Sequence, residues 1–323
     1  MTQPSKIELS PAESVRGLPH PQGYRVVRIA VGAKREAIRL LVLEDSGNSV
    51  FDRTIQPGFA SFPTTHAREE HAALLTVSDR AWSSKFHLRG LTATHPLVDL
   101  LPDGEILVVA PRCHRFSDGS HELNARVYDE NGDVQREFLL GDGIKHVQAD
   151  RSGNIWVGYF DEGVFGNFGW LSGTPVGASG IVRFNERGEK LWDYQAPSGA
   201  DPVTDCYALN VSVDAVWAYY YTGFPVVCIN RNSGARAWTT NTSGGRALAV
   251  DGRRVLLYGG YNPDRTSCRL LQLGDRDADL IGEVSLTLPP EADLASATVI
   301  GRDNVLHVFC ADDWFTFPLR SIP

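Results

Sequence analysis

The residues best suited to chemistry fall in short clusters. "HAREEHA" holds His66, Glu69, Glu70 and His71, donors of the kind that bind zinc. A zinc-binding helix of pattern H-x-x-E-H spaces its histidines four apart, on one face. Here the spacing is five, which on a helix separates them by roughly 140°, so a solvated charged loop is the better reading. Asp161 and Glu162 are adjacent acids. Such a pair could divide the work of general acid and base, hold a cation, or simply cap a loop turn. His95, His146 and Asp205 offer imidazole and carboxylate ligands suited to Zn²⁺ or Ca²⁺. The competing reading is a histidine at a strand start bonded to backbone or ordered water. Tyr221, at the end of "VWAYYY", and Arg246, after "SGG", add a ring and a guanidinium for ligand binding.

The elements that must position these residues are strands. Apolar content is 42% and aromatic content 10% over 323 residues, enough for a substantial core. Alternation of period two recurs from residue 24 to the end, punctuated by Gly, Asp and Asn. Hairpins of one plan repeat at 41–52, 98–111, 146–160, 247–260 and 297–310, and 207–221 fits with a weaker turn. A second set interleaves with them, among them "ARVYDENGDVQREFLL", "IVRFNERGEKLWDYQ" and "VVCINRNSGARAWTTN". Inner and outer hairpins in alternation make four-stranded antiparallel blades, the pattern of a β-propeller.

The expected fold is therefore all-β, a six-bladed propeller whose inner strands begin near residues 37, 98, 146, 206, 247 and 295. Seven blades are the alternative, because residues 24–95 parse in more than one way. The last blade lacks a strand, and an N-terminal strand closes the ring, with "YRVVRIA" (24–30) the candidate. Residues 1–23 read as a polar N-terminal segment and 24–323 as a single propeller domain. "TTHAREEHAALL" is the nearest thing to a helix.

At this point the chain resembles known propellers. "ADRSGNIWVG" is similar to the D-x-x-G-x-[IV]-W-V-[GA] hairpin of two-component-regulator-type, NHL-type and gluconolactonase-like propellers. "NRNSGARAW" resembles the outer hairpin of quinoprotein propellers. These motifs encode hairpins, so the resemblance implies a fold and not an activity. Gluconolactonase-like propellers hold a metal at the channel mouth with mainly Glu, Asn and Asp. That set does not carry over residue by residue, and no quinone-binding pattern is found.

An antiparallel meander sends its connections alternately to two faces. The short turns "LPDGE", "DRSGN", "ENGD", "ERGE" and "RNSG" share one face, and the loops 56–71, 112–123, 161–179 and 260–267 share the other. Long loops on a rigid scaffold are where binding residues sit. Inner strands also begin there, which brings His95, Lys145, His146, Asp205, Arg246 and Asp293 to one mouth.

Several classes drop out. Net charge is −8 with no basic run, against nucleic acid and anionic membrane. No apolar stretch approaches a membrane span. The N-terminus carries no signal-peptide core, and five scattered cysteines read as reduced core thiols, so a cytoplasmic location is expected. Nucleotide loops, G-x-S-x-G and H-E-x-x-H are absent. Two functions remain open. One is a module binding a small polar molecule or a protein through His95, His146, Asp161, Glu162, Asp205, Tyr221 and Arg246. The other is a metal-assisted hydrolase or lactonase drawing on His95, His146, Asp161, Glu162 and Asp205.

Overall fold

The computed structural model describes residues 4–45, 47–54, 61–230 and 234–322. Two short strands come first, β1 (Ser5–Leu9) and β2 (Glu13–Val15). The first sheet comprises β3 (Tyr24–Val31), β4 (Ala37–Leu43), β5 (His66–Ser78) and β6 (Ser83–Ala93). The second comprises β7 (Leu97–Leu100), β8 (Ile106–Val109), β9 (Ala125–Tyr128) and β10 (Val134–Phe138). In the third, β11 (Ile144–Ala149) and β12 (Ile155–Tyr159) precede a single-turn helix α1 (Asp161–Phe165), then β13 (Ile181–Phe184) and β14 (Lys190–Asp193). The fourth comprises β15 (Asp205–Val211), β16 (Ala215–Tyr221), β17 (Val226–Asn230) and β18 (Gly234–Trp238). The fifth is built from β19 (Ala247–Asp251), β20 (Arg254–Tyr258), β21 (Cys268–Leu273) and β22 (Ala278–Leu286). The sixth takes β23 (Thr298–Arg302), β24 (Val305–Cys310) and β25 (Asp313–Pro318), with β2 as its fourth strand. These sheets are the six four-stranded antiparallel blades of a β-propeller.

The chain divides into a middle unit, Pro19–Tyr194, and a terminal unit, Met1–Leu18 with Gln195–Pro323. In the middle unit the first strands of successive blades are neighbours, β3 beside β7 and β7 beside β11. Strands such as β8 (ILVV) and β12 (IWVGY) are buried throughout, because a blade packs on both faces. One apolar core lies between the first and second blades around Leu40, Leu75, Ile106 and Tyr128. A second lies between the second and third around Val109, Leu140, Ile155 and Tyr159. The terminal unit repeats the plan, with cores around Tyr219, Leu248 and Leu257 and around Leu256, Leu306 and Phe315.

Three expectations are corrected. The first blade opens with β3 at Tyr24, not near residue 37, so 41–52 is no hairpin. Residues 47–51 form a 3₁₀ turn inside a long connection. The true first hairpin turns at 32–36, where the left-handed position is filled by Arg35 (φ 70°) instead of Gly or Asn, which hides it from a reading of turn chemistry. At Gly32 a Cβ would come within 2.6 Å of the Glu36 carboxyl carbon, so a larger residue there would have to displace that side chain. Second, the closing strand is β2, with Glu13, Ser14 and Val15 opposite Thr316, Phe315 and Trp314, and 24–30 starts a blade instead. The polar N-terminal segment thus takes part in two sheets, since β1 also runs parallel to β22. Third, "HAREEHAALL" is strand β5, not a helical turn. The turn residues 231–233 of the fourth outer hairpin lie outside the described residues.

Candidate functional site

The alternation of connections holds within each unit. In the middle unit the long connections 44–65, 110–124 and 160–180 leave from one end of the blades, and the turns 32–36, 79–82, 101–105 and 150–154 lie at the other. Residues 55–60 of the first long connection lie outside the described residues. Asp150 serves its turn as expected, accepting from the backbone of Ser152 (2.8 Å) and Asn154 (3.1 Å) and from the Trp156 indole (3.1 Å).

The long connections of the middle unit meet on one buried guanidinium. Arg112 is 1% exposed and forms a two-pronged ion pair with Asp142, both contacts 2.9 Å. Its third nitrogen donates to Glu162. Phe168, Phe62 and Phe160 place their rings 4.2, 5.3 and 5.4 Å from its central carbon. Asp142 also accepts from the Cys113 backbone. Its carboxyl is nonetheless pushed above the ordinary range, because loss of solvation outweighs the pull of Arg112. A second tie joins Glu122 to His66 (3.3 Å), the His114 N–H (2.7 Å) and Thr65 (3.1 Å). Burial raises that carboxyl, but these partners together outweigh burial and depress it.

The expected site residues of this unit are thereby assigned. Asp161 and Glu162 part company: Asp161 is exposed and accepts from the Glu162 N–H (2.9 Å), while Glu162 turns to Arg112. They do not act as a pair. His66 and His71 also face different surroundings, His66 toward Glu122 and the buried His71 on the Ser49 hydroxyl (2.6 Å). His95, two residues before β7, packs edge-on to Phe51 (5.8 Å), and its buried Nε2 has no partner. Burial, and then the charges of Arg53 and Arg28, lower its pKa against an opposing bond to the Phe51 backbone. His146 lies near the start of the neighbouring strand β11, half-buried and opposite Gly158. Among the described residues no three His, Cys, Asp or Glu side chains are grouped as ligands of a metal would be.

In the terminal unit Asp205 and Tyr221 are brought together as cross-strand partners on β15 and β16. Beside them stands an aromatic cluster. Phe224, held at φ 52°, lies 5.2 Å from Tyr207, 5.4 Å from Tyr219, 5.6 Å from Tyr221 and 6.2 Å from Tyr261, centroid to centroid. Tyr207 and Tyr261 share a hydroxyl–hydroxyl bond of 2.8 Å. Burial first, then that bond, raises the Tyr207 phenol. Tyr221 and Tyr261 remain 43% and 53% exposed. Tyr261 also lines a groove of about 350 Å³ with Thr240, Asn241, Ser243, Asn262, Asp264 and Arg269. Arg269 is aimed by Asp264 (2.8 Å) and the Gly259 carbonyl (3.1 Å). Arg246, just before β19, donates one terminal N–H to the Arg265 carbonyl (2.5 Å). Asp293 caps a turn by accepting from the Ala295 N–H (2.9 Å).

Sequence reasoning reached Tyr221, Asp205 and Glu162 but missed Arg112, Asp142, Tyr207, Phe224, Tyr261 and Arg269. The signal was there for Tyr261, inside a connection already marked as long. For Phe224 in "TGFP" no local signal exists, because its role is to fill the space between rings from three separate elements.

The profile of the YxzG family matches residues 176–263, just over a quarter of the chain. No curated protein matches. Among solved structures, a streptogramin B lyase is 11% identical and covers 95% of this chain and 96% of its own (TM-score 0.45). A catalytically inactive virginiamycin B lyase from Staphylococcus aureus with quinupristin is 10% identical and covers 95% and 99% (TM-score 0.41). The β-propeller domain of the Trilobed protease from Pyrococcus furiosus is 12% identical and covers 89% and 79% (TM-score 0.43). Likeness at that level assigns no activity.

Proposed function

We propose that this protein is a binding propeller whose ligand is a small polyhydroxylated molecule of the saccharide class, held at the long-loop end of the terminal unit. One observation carries the reading: two exposed tyrosine rings, Tyr221 and Tyr261, fixed on Phe224 beside a groove of hydroxyl, amide, carboxylate and guanidinium groups. The C–H face of a sugar ring packs on an aromatic face, and its hydroxyls need donors and acceptors at fixed angles. Asn241, Asn262, Asp264 and Arg269 supply both. The groove volume lies in the range of small-molecule sites, about 300–1,000 Å³. Rings already immobilised by one another lose little freedom on binding.

Calorimetric titration with a panel of mono- and disaccharides tests this. At least one sugar is expected to bind, and Tyr221→Ala and Tyr261→Ala are each expected to weaken it about tenfold or more. A panel without binding, or binding indifferent to both substitutions, overturns the proposal.

A specific observation favours a protein partner as the second reading. Phe116, Leu123, Phe165 and Leu171 are 45%, 42%, 62% and 77% exposed on the connections that Arg112 ties down in the middle unit. Large apolar side chains on a rigid base are what partner surfaces present. Metal-assisted hydrolysis finds no ligand set among the described residues. A cytoplasmic location is kept as part of the proposal, supported by five buried free thiols. Among the described residues no helix is long and apolar enough to cross a membrane.

A further inference from the structure

The short-turn end of the middle unit, expected to be plain, carries a cleft of about 520 Å³. It opens where the outer hairpin of the first blade stands beside the inner turns of the first three blades. Val77, Phe86, Leu100 and Leu101 line it, and Trp82, 50% exposed at the tip of the β5–β6 turn, forms one side. Ser84 and Phe86 alternate along β6 and so share one face, and Trp82 immediately precedes the strand. Ser84 leaves a gap between two large rings.

Charge on the rim is distributed unevenly. Lys34 and Arg151 are exposed. Arg151 is steered over the cleft by its Nε bond to the Ala33 carbonyl (3.2 Å), which leaves its two terminal nitrogens to donate elsewhere. The acids are engaged within their turns. Glu36, 8% exposed, accepts from the Lys34 N–H (2.8 Å), and Asp150, 2% exposed, is saturated by its own turn. Asp79, half-buried, accepts from the Ala81 N–H (2.6 Å). Of the charged side chains that line the cleft, only Lys34 and Arg151 are exposed, above an apolar floor.

We infer that this cleft is a second ligand site, independent of the saccharide site, which takes an amphipathic carboxylate: an apolar chain or ring in the cleft and an anionic head between Lys34 and Arg151. A neutral chain would gain the apolar contacts only, and a cationic one would meet Lys34 and Arg151 with like charge.

The test is displacement of the fluorescent sulfonate 8-anilinonaphthalene-1-sulfonate from the full chain by octanoate, 1-octanol and octylamine. Octanoate is expected to displace it at about tenfold lower concentration than 1-octanol, the sum of two exposed ion pairs. Lys34→Gln/Arg151→Gln, at exposed positions, is expected to erase that preference. Ser84→Trp, which fills the gap, is expected to abolish octanoate-sensitive fluorescence, while Tyr221→Ala leaves it unchanged. Equal displacement by octanoate and 1-octanol, stronger displacement by octylamine, or a preference that survives in the double variant would each overturn the inference.

Discussion

Replacing Arg112 by Met removes one charge from a site where two oppositely charged partners remain. Asp142 is 4% exposed. Breaking one side of a buried pair costs about 3–5 kcal/mol, chiefly because the other charge is left uncompensated. At roughly 2–4 °C per kcal/mol, the melting temperature should fall by about 10 °C. Burial already holds the Asp142 carboxyl above its ordinary range with Arg112 present. Without Arg112 the folded-state pKa rises further above the unfolded value of about 3.9. A raised pKa means that the protonated folded state is favoured. The penalty of Arg112→Met is therefore largest at neutral pH and shrinks as pH falls through the folded-state pKa. Adding Asp142→Leu removes the orphaned charge, so the double variant should be less destabilised than the sum of the single variants by about 2 kcal/mol. Thermal and urea unfolding, both followed by tryptophan fluorescence at pH 5 and pH 7, measure these. Strict additivity of the two substitutions, or a penalty for Arg112→Met that grows on acidification, would refute the reasoning.

Further outcomes follow from other contacts. Arg136 grips Glu105 with two bonds of 2.7 Å, which depress the Glu105 pKa. Arg136→Gln should cost about 0.5–1 kcal/mol above the unfolded Glu pKa of about 4.3, and the difference should vanish as pH falls through the folded value, as measured by urea midpoints. Gly301 on β23 faces the β19 backbone so closely that a Cβ would stand 1.8 Å from the Leu248 carbonyl oxygen. Gly301→Ala should destabilise by about 2 kcal/mol or more, seen as a lowered melting temperature. All five thiols are buried, and burial raises Cys228 to about 11. They should resist an aromatic disulfide reagent in native protein and react promptly in urea.

The repeat of hairpins was legible from residues alone. Strand alternation and the Asp/Gly/Asn turn are local patterns, and six blades follow from counting them. The sorting of loops into two ends was equally legible, because it depends only on the parity of antiparallel connections. The first hairpin was not, since Arg35 occupies a position where a glycine or asparagine would have marked the turn.

Pairings across long separations were decided only by the folded chain. Nothing in "ESV" distinguishes β2 as the partner of Thr316, Phe315 and Trp314, some 300 residues away. Arg112, Asp142 and Glu162 carry no motif; they find one another because loops from two blades close over the same apolar space, where a charge must be paired. The rings around Phe224 likewise come from three elements, and the cleft beneath Trp82 is a gap left between hairpins. Local chemistry writes strands and turns into the sequence. Which side chains share a buried volume depends on how the blades pack, and that is settled in three dimensions.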